Sequence, residues 1–162
     1  MKRTRFLAPA LAALLAASAS AQQQSEIIVE SFSDGQNASA FQRVEGNWYE
    51  SISKSKASGL IASKSMFKTL GEPGAARFKP AIPADGRYDV YITFPTSANA
   101  SGVVYVVGHA GGKTEVRQDQ FGRGRDPGTP ADAWIPLGTF EFKQGGENFV
   151  EVRDPETCAA PD

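Results

Sequence analysis

The two residue types that carry most side-chain chemistry are nearly missing. Among 162 residues there is one histidine, His109, and one cysteine, Cys158. A single cysteine excludes a disulfide within the chain, so stability has to come from a packed core. A single histidine, with no G-x-S-x-G and no H-E-x-x-H, leaves no recognisable nucleophile, general base or metal centre. Asp34, Asn37 and Asp126 are oxygen donors, but they lack the spacing of a Ca²⁺ loop. Carboxylate pairs that cleave glycosides need only be near in space, and nothing in the sequence nominates one. No catalytic residue, metal or cofactor is expected.

An excess of positive charge is also lacking. The chain has 17 Lys and Arg against 18 Asp and Glu. Lys2, Arg3 and Arg5 lie at the extreme N-terminus, so the remainder is mildly acidic. That excludes the basic footprint of a nucleic-acid binder, and no basic amphipathic segment offers itself to a membrane surface. Helical periodicity is nearly absent, because no long stretch repeats apolar residues at i, i+3, i+4 and i+7. Long apolar runs are confined to Phe6–Ala17, short of the ~20 residues that span a bilayer. With the basic residues before it and Ala19-Ser20-Ala21 after it, that run reads as a signal peptide over residues 1–21, cleaved after Ala21. The expectation is an exported protein, periplasmic or extracellular, with no membrane attachment after cleavage. Residues 22–154 then form one domain and 155–162 a short tail. The lone thiol of Cys158 pairs with another chain, has its partner beyond the end of this sequence, or has no role.

What the sequence does contain is a succession of short runs rich in Val, Ile, Phe and Tyr, punctuated by Gly, Pro, Asn and Asp. That spacing predicts an all-β fold, an antiparallel β-sandwich of about nine strands. The predicted strands are Glu26–Phe32, Phe41–Tyr49, Gly59–Leu70, Ala75–Phe78, Arg87–Phe94, Val103–Gly108, Lys113–Gln120, Leu137–Phe142 and Asn148–Val152. In Arg87–Phe94, Tyr88, Val90, Ile92 and Phe94 fall on one face and Arg87, Asp89, Tyr91 and Thr93 on the other, which gives one buried and one wetter side. Val103–Gly108 is apolar throughout, as in a central strand covered on both faces. Gly111-Gly112 predicts a hairpin into Lys113–Gln120, and Gln144-Gly145-Gly146 predicts a second hairpin between the last two strands. Phe121–Ala133 reads as a long loop, and its Arg123 and Arg125 either meet an acidic polysaccharide or are simply solvated.

Several motifs occur in a fixed order: Gly46-Asn47-Trp48; Ala75-Ala76-Arg77-Phe78-Lys79-Pro80; Ile82-Pro83-Ala84-Asp85-Gly86-Arg87-Tyr88-Asp89-Val90-Tyr91; Tyr105-Val106-Val107-Gly108-His109-Ala110-Gly111-Gly112; Asp119-Gln120; and Trp134-Ile135-Pro136-Leu137-Gly138-Thr139-Phe140. In this order, over roughly residues 26–152, the chain resembles the golvesin C-terminal-like family, also described as the carbohydrate-binding-like domain of secreted xanthan lyases. The resemblance implies a jelly-roll-like sandwich with a binding role. Two departures stand out. The loop Phe121–Ala133 is longer than the family's, and the sequence stops at Asp162 where the family continues into a last strand, so either this branch lost that strand or the sequence is truncated. A missing last strand predicts a frayed C-terminus and an open strand edge beside Glu26–Phe32, able to pair with another protein chain.

Sugar rings stack their C–H faces on aromatic rings and give their hydroxyls to polar neighbours. Tyr91, on the wetter face of its strand, is the leading candidate, with Arg87 and Asp89 beside it. Tyr105 and Trp134 are further candidates, although Trp48 and Trp134 can equally plug the ends of the core. His109 stands at a fixed motif position and serves either as a structural hydrogen-bonding group or as a ligand contact. The expected function is a non-catalytic, exported carbohydrate-binding-like module contacting polysaccharide. The alternative is a structural or protein-interaction domain associating through an open edge, and a polysaccharide lyase or hydrolase ranks last.

Overall fold

A computed structural model describes residues 26–69, 71–95, 102–118, 120 and 133–154. The signal-peptide segment, residues 121–132 with Arg123 and Arg125, and the tail with Cys158 lie outside the described residues. Nine strands follow in order: β1 Phe41–Glu45, β2 Trp48–Lys54, β3 Lys64–Lys68, β4 Ala75–Phe78, β5 Gly86–Ile92, β6 Val103–His109, β7 Gly112–Gln118, β8 Ile135–Phe142 and β9 Phe149–Arg153. Among the described residues the only helical element is a single 3₁₀ turn, Ala38–Ala40.

The strands form three antiparallel groups: a five-stranded sheet in the order β1-β4-β9-β6-β7, a β2–β3 ribbon, and a β5–β8 pair. Period-two alternation decides how they pack. Val90 and Ile92 from β5, with Ile135, Leu137 and Phe142 from β8, close against Tyr105 and Val107 of β6. This is the main core, and Val107 is completely buried in it. Burying such a side chain contributes roughly 1.5–3 kcal/mol.

The other face of β6 is covered as well, which explains its unbroken apolar run. Val104 and Val106 join Phe149 in a second, smaller cluster. Cross-strand ion pairs flank it, Arg77 to Glu151 at 2.6 Å and Arg153 to Glu115. The Arg77 guanidinium lies 4.3 Å from the centroid of the Phe149 ring. That ring lies directly over Gly108, leaving no room for a Cβ there.

Three expectations are corrected. Glu26–Phe32 lies along the domain with Ile28, Glu30 and Phe32 buried, yet it is not a strand. Its burial alternates as in a strand, but its polar groups bond to loops: the Glu30 N–H to Gln36 O and the Ile28 carbonyl to the Asn37 side chain. Phe41–Tyr49 is two strands, broken at Gly46, whose φ of 76° and close approach to the Pro73 carbonyl admit no side chain. Finally, β8 and β9 are not a hairpin. The turn exists, with Gly146 N–H bonded to Lys143 O at 3.0 Å, but it passes the chain between layers. β8 pairs with β5, while β9 inserts between β4 and β6. By contrast, β6 and β7 pair in regular register from Val103↔Gln118 to His109↔Gly112, as a hairpin should.

Candidate ligand-binding face

Because β5 turns its even-numbered residues into the core, Arg87, Asp89 and Tyr91 stand on its outer face, and all three are exposed. Successive residues on that face are ~7 Å apart along the strand. Across the pair, β8 sets Glu141 opposite Arg87, Thr139 opposite Asp89 and Pro136 opposite Tyr91. Thr139 donates its hydroxyl proton to the Asp89 carboxylate at 2.5 Å, which fixes both side chains on the open face. The register slips between Val90 and Tyr91. This β-bulge seats the Pro136 ring beside Tyr91 and increases the local twist.

One end of the face is covered by the segment that follows β2. The hydroxyls of Ser55 and Thr93 are 2.6 Å apart, and the Trp134 indole N–H donates to the Ser58 carbonyl at 3.0 Å. At the other end Asp85 accepts the Gln144 N–H at 2.8 Å and pairs with Lys143 at 3.0 Å. These two contacts, the backbone bond first, hold the Asp85 carboxyl below its ordinary value. Between the covered end and the charged end the Tyr91 ring is 49% exposed. The result is a shelf with one apolar ring, a fixed acceptor–hydroxyl pair and an Arg–Glu pair of residues. Its donors and acceptors suit a polyhydroxylated ligand lying on an aromatic face.

The six sequence candidates thus separate. Arg87, Asp89 and Tyr91 share the open face. Trp134 is half-buried at its covered end, where its indole pins a loop. His109 closes the β6–β7 turn, its Nδ1 accepting the Gly111 N–H at 3.1 Å and its Nε2 bonding Thr114 Oγ1 at 3.0 Å. That turn abuts the far end of β8, through the Ala110 N–H to the Glu141 carbonyl at 2.8 Å. Tyr105 belongs to the core at 5% exposure, its hydroxyl taken by the Gln120 amide at 2.6 Å. No ring face is left there for a sugar. Burial is what drives the Tyr105 phenol well above its ordinary ionisation range. Thr139, Glu141 and Pro136 were not legible as partners of Arg87, Asp89 and Tyr91, since their placement depends on the β5–β8 register. Among the described residues, no three His, Cys, Asp or Glu side chains converge as a metal site would require.

The sequence pattern of the Golvesin C-terminal domain runs through residues 33–159. The chain belongs to that family. This Golvesin C-terminal domain is also 35% identical over 86 residues to a xanthan lyase of Bacillus sp. (strain GL1), a match that covers 52% of the chain and 8% of the lyase. A solved Paenibacillus xanthan lyase superimposes with a TM-score of 0.59 at 23% identity, over 75% of this chain and 11% of that one. The domain therefore corresponds to a small segment of those much longer proteins, and the structural match is one of fold.

Proposed function

We propose that this Golvesin C-terminal domain is an exported, non-catalytic module that binds extracellular or cell-surface polysaccharide on the outer face of β5–β8. The observation that carries the reading is the Tyr91 ring, half-exposed on the outer face of β5 and flanked by Arg87, Asp89 and Thr139. A buried ring would lack that open approach. Similarity to a segment of proteins named for xanthan supports a glycan ligand, and the basic, then apolar, N-terminal segment supports export.

The rival reading is association through an open strand edge. The five-stranded sheet has edges at β1 and β7. The β1 edge is interrupted by an irregularity between Arg43 and Glu45, and β7 carries Lys113, Glu115 and Arg117 on one face. Bulges and alternating charge are the usual protections against edge pairing, so the polysaccharide reading is preferred.

Isothermal titration of the purified protein against a glycan panel that includes xanthan tests the proposal. Binding that falls about tenfold in Tyr91→Ala, with an unchanged Tm, is the expected result. Absence of binding to every polysaccharide on the panel overturns it.

A further inference from the structure

Two aromatic rings outside the β5–β8 face are exposed, and they are neighbours. Tyr49 of β2 and Phe67 of β3 are 47% and 51% exposed. They stand directly opposite one another in the ribbon register, with ring centroids 5.6 Å apart and planes inclined by 35°. The next pair on the same face is Ser51 opposite Ser65. The alternate pairs, Trp48 opposite Lys68 and Glu50 opposite Met66, put the charges of this stretch on the reverse side. One side of the ribbon is thus an uncharged platform of two shallowly tilted rings followed by two hydroxyls.

This arrangement is excessive for its local structural task. A cross-strand aromatic pair stabilises a ribbon by ~0.2–1 kcal/mol, and one aromatic against a β-branched residue achieves the same. It is also too small for a stable protein interface. Two half-exposed rings of about 200 Å² each offer on the order of 200 Å², against ~800 Å² per partner in a standard complex. An uncharged strip of ring faces and hydroxyls of that size matches a few pyranose units of a glycan, C–H faces on the rings and hydroxyls on the serines.

The ribbon that carries the platform is also tied to the face already described. β2 ends at Lys54, and the next residue, Ser55, bonds Thr93, which stands two positions along the chain from Tyr91. The Lys54 end of the ribbon is therefore fastened beside the Tyr91 shelf, while the Trp48 end is held at the close of β1 and β9, by the Trp48 indole N–H to the Glu45 carbonyl at 2.8 Å and by Lys68 to Asp154 at 2.8 Å. At ~3.3 Å per residue, Tyr49 lies within roughly 20 Å of Ser55 along the strand.

We infer that the Tyr49–Phe67 platform is a second glycan subsite that acts with the Tyr91 shelf on one polysaccharide chain. The inference rests on the polysaccharide-binding reading and adds the ligand's form: a polymer long enough to touch both places, with an uncharged stretch on the ribbon. Once one subsite is occupied, the other binds at the high effective concentration set by the tether between them.

The test uses the polysaccharide that binds best in titration, intact and as short oligosaccharides. Tyr49→Val and Phe67→Ile keep strand-forming, apolar cross-strand partners but remove the flat rings, and circular dichroism checks that the ribbon persists. Each variant is expected to weaken binding of the intact polymer about tenfold while changing short-fragment affinity at the Tyr91 shelf by less than twofold. Unchanged polymer affinity in both variants, with Tyr91→Ala still weakening it, overturns the second subsite and leaves the first reading standing. Polymer affinity unchanged in all three variants overturns both.

Discussion

The carboxylate of Glu30 accepts the backbone N–H of Ser63 at 2.6 Å, from a segment 33 positions away in sequence. The same carboxylate accepts the N–H groups of Gln36 and Ile61, each at 3.0 Å. One buried side chain therefore satisfies the backbone of two loops that have no ladder to join, and it ties the N-terminal segment to the base of the β2–β3 ribbon.

Removing that acceptor strands several backbone donors. Glu30→Ala is expected to destabilise the domain by about 3 kcal/mol, a fall in Tm on the order of 10 °C. Thermal unfolding followed by circular dichroism checks it. A change within 1 °C would mean that the loops are held by other contacts.

The same group makes stability depend on acid. Burial alone pushes the Glu30 carboxyl up, but the backbone N–H bonds from Gln36, Ile61, Ser63 and Ala62 outweigh it and hold the carboxyl below its ordinary value of 4.5. A lowered folded value means that this stabilisation is present above pH 4.5 and is lost as pH falls below it. The Tm gap between wild type and Glu30→Gln is accordingly expected to narrow from pH 7 to pH 3.

Tyr105 predicts the opposite dependence. Burial raises its phenol above the ordinary value of 10.0 against the smaller, lowering effect of the Gln120 hydrogen bond. The unfolded chain then loses that proton first, so stability falls as pH rises past about 10. Tyr105→Phe should remove this alkaline loss, lower stability near pH 7 by about 1 kcal/mol, and leave polysaccharide affinity unchanged. Titration at pH 7 and denaturation across pH 8–11 separate these outcomes.

Gly108 is a packing requirement. A methyl group there would overlap the Phe149 ring, so Gly108→Ala should cost about 1–3 kcal/mol. Adding Phe149→Leu removes the ring that is struck, and the double variant is expected to lose less than the sum of the single changes. Strict additivity in chemical denaturation would show that the two sites do not couple.

His109 carries a spectroscopic prediction. A backbone N–H can only donate, so the bond from Gly111 makes Nδ1 the acceptor and leaves the ring proton on Nε2, toward Thr114. Nitrogen chemical shifts of the imidazole should report the Nε2–H tautomer. Thr114→Val should leave the Gly111 amide bond in place.

Much of this architecture is legible in the sequence because alternation reports burial. Tyr88, Val90, Ile92 and Phe94 could be assigned inward without any knowledge of partners, and the double-sided burial of Val104 to Val107 followed from the unbroken apolar run. Alternation says nothing of which strand lies alongside. Hence Phe142 and Phe149, seven residues beyond the first, could be read as sides of one hairpin although they stand in different sheets. Glu26–Phe32 misleads for a related reason: its buried period-two pattern is real, but its backbone bonds to Gln36 and Asn37 of the following turn instead of to a neighbouring strand. At the candidate face, Arg87, Asp89 and Tyr91 were visible together because one strand carries them. Thr139 and Pro136 required the register. Tyr105 lies inside that unbroken apolar run, so the same pattern that buries Val104 to Val107 also marks its phenol as buried.

The insertion of β9 between β4 and β6 also governs when the domain can exist. β9 is the middle strand of its sheet, yet it is the last of the nine in chain order, so ribosomes must have delivered all the others before the sheet can close. Until then β1–β4 and β6–β7 remain two unjoined pieces with open edges, and pairing across such long sequence separations is slow.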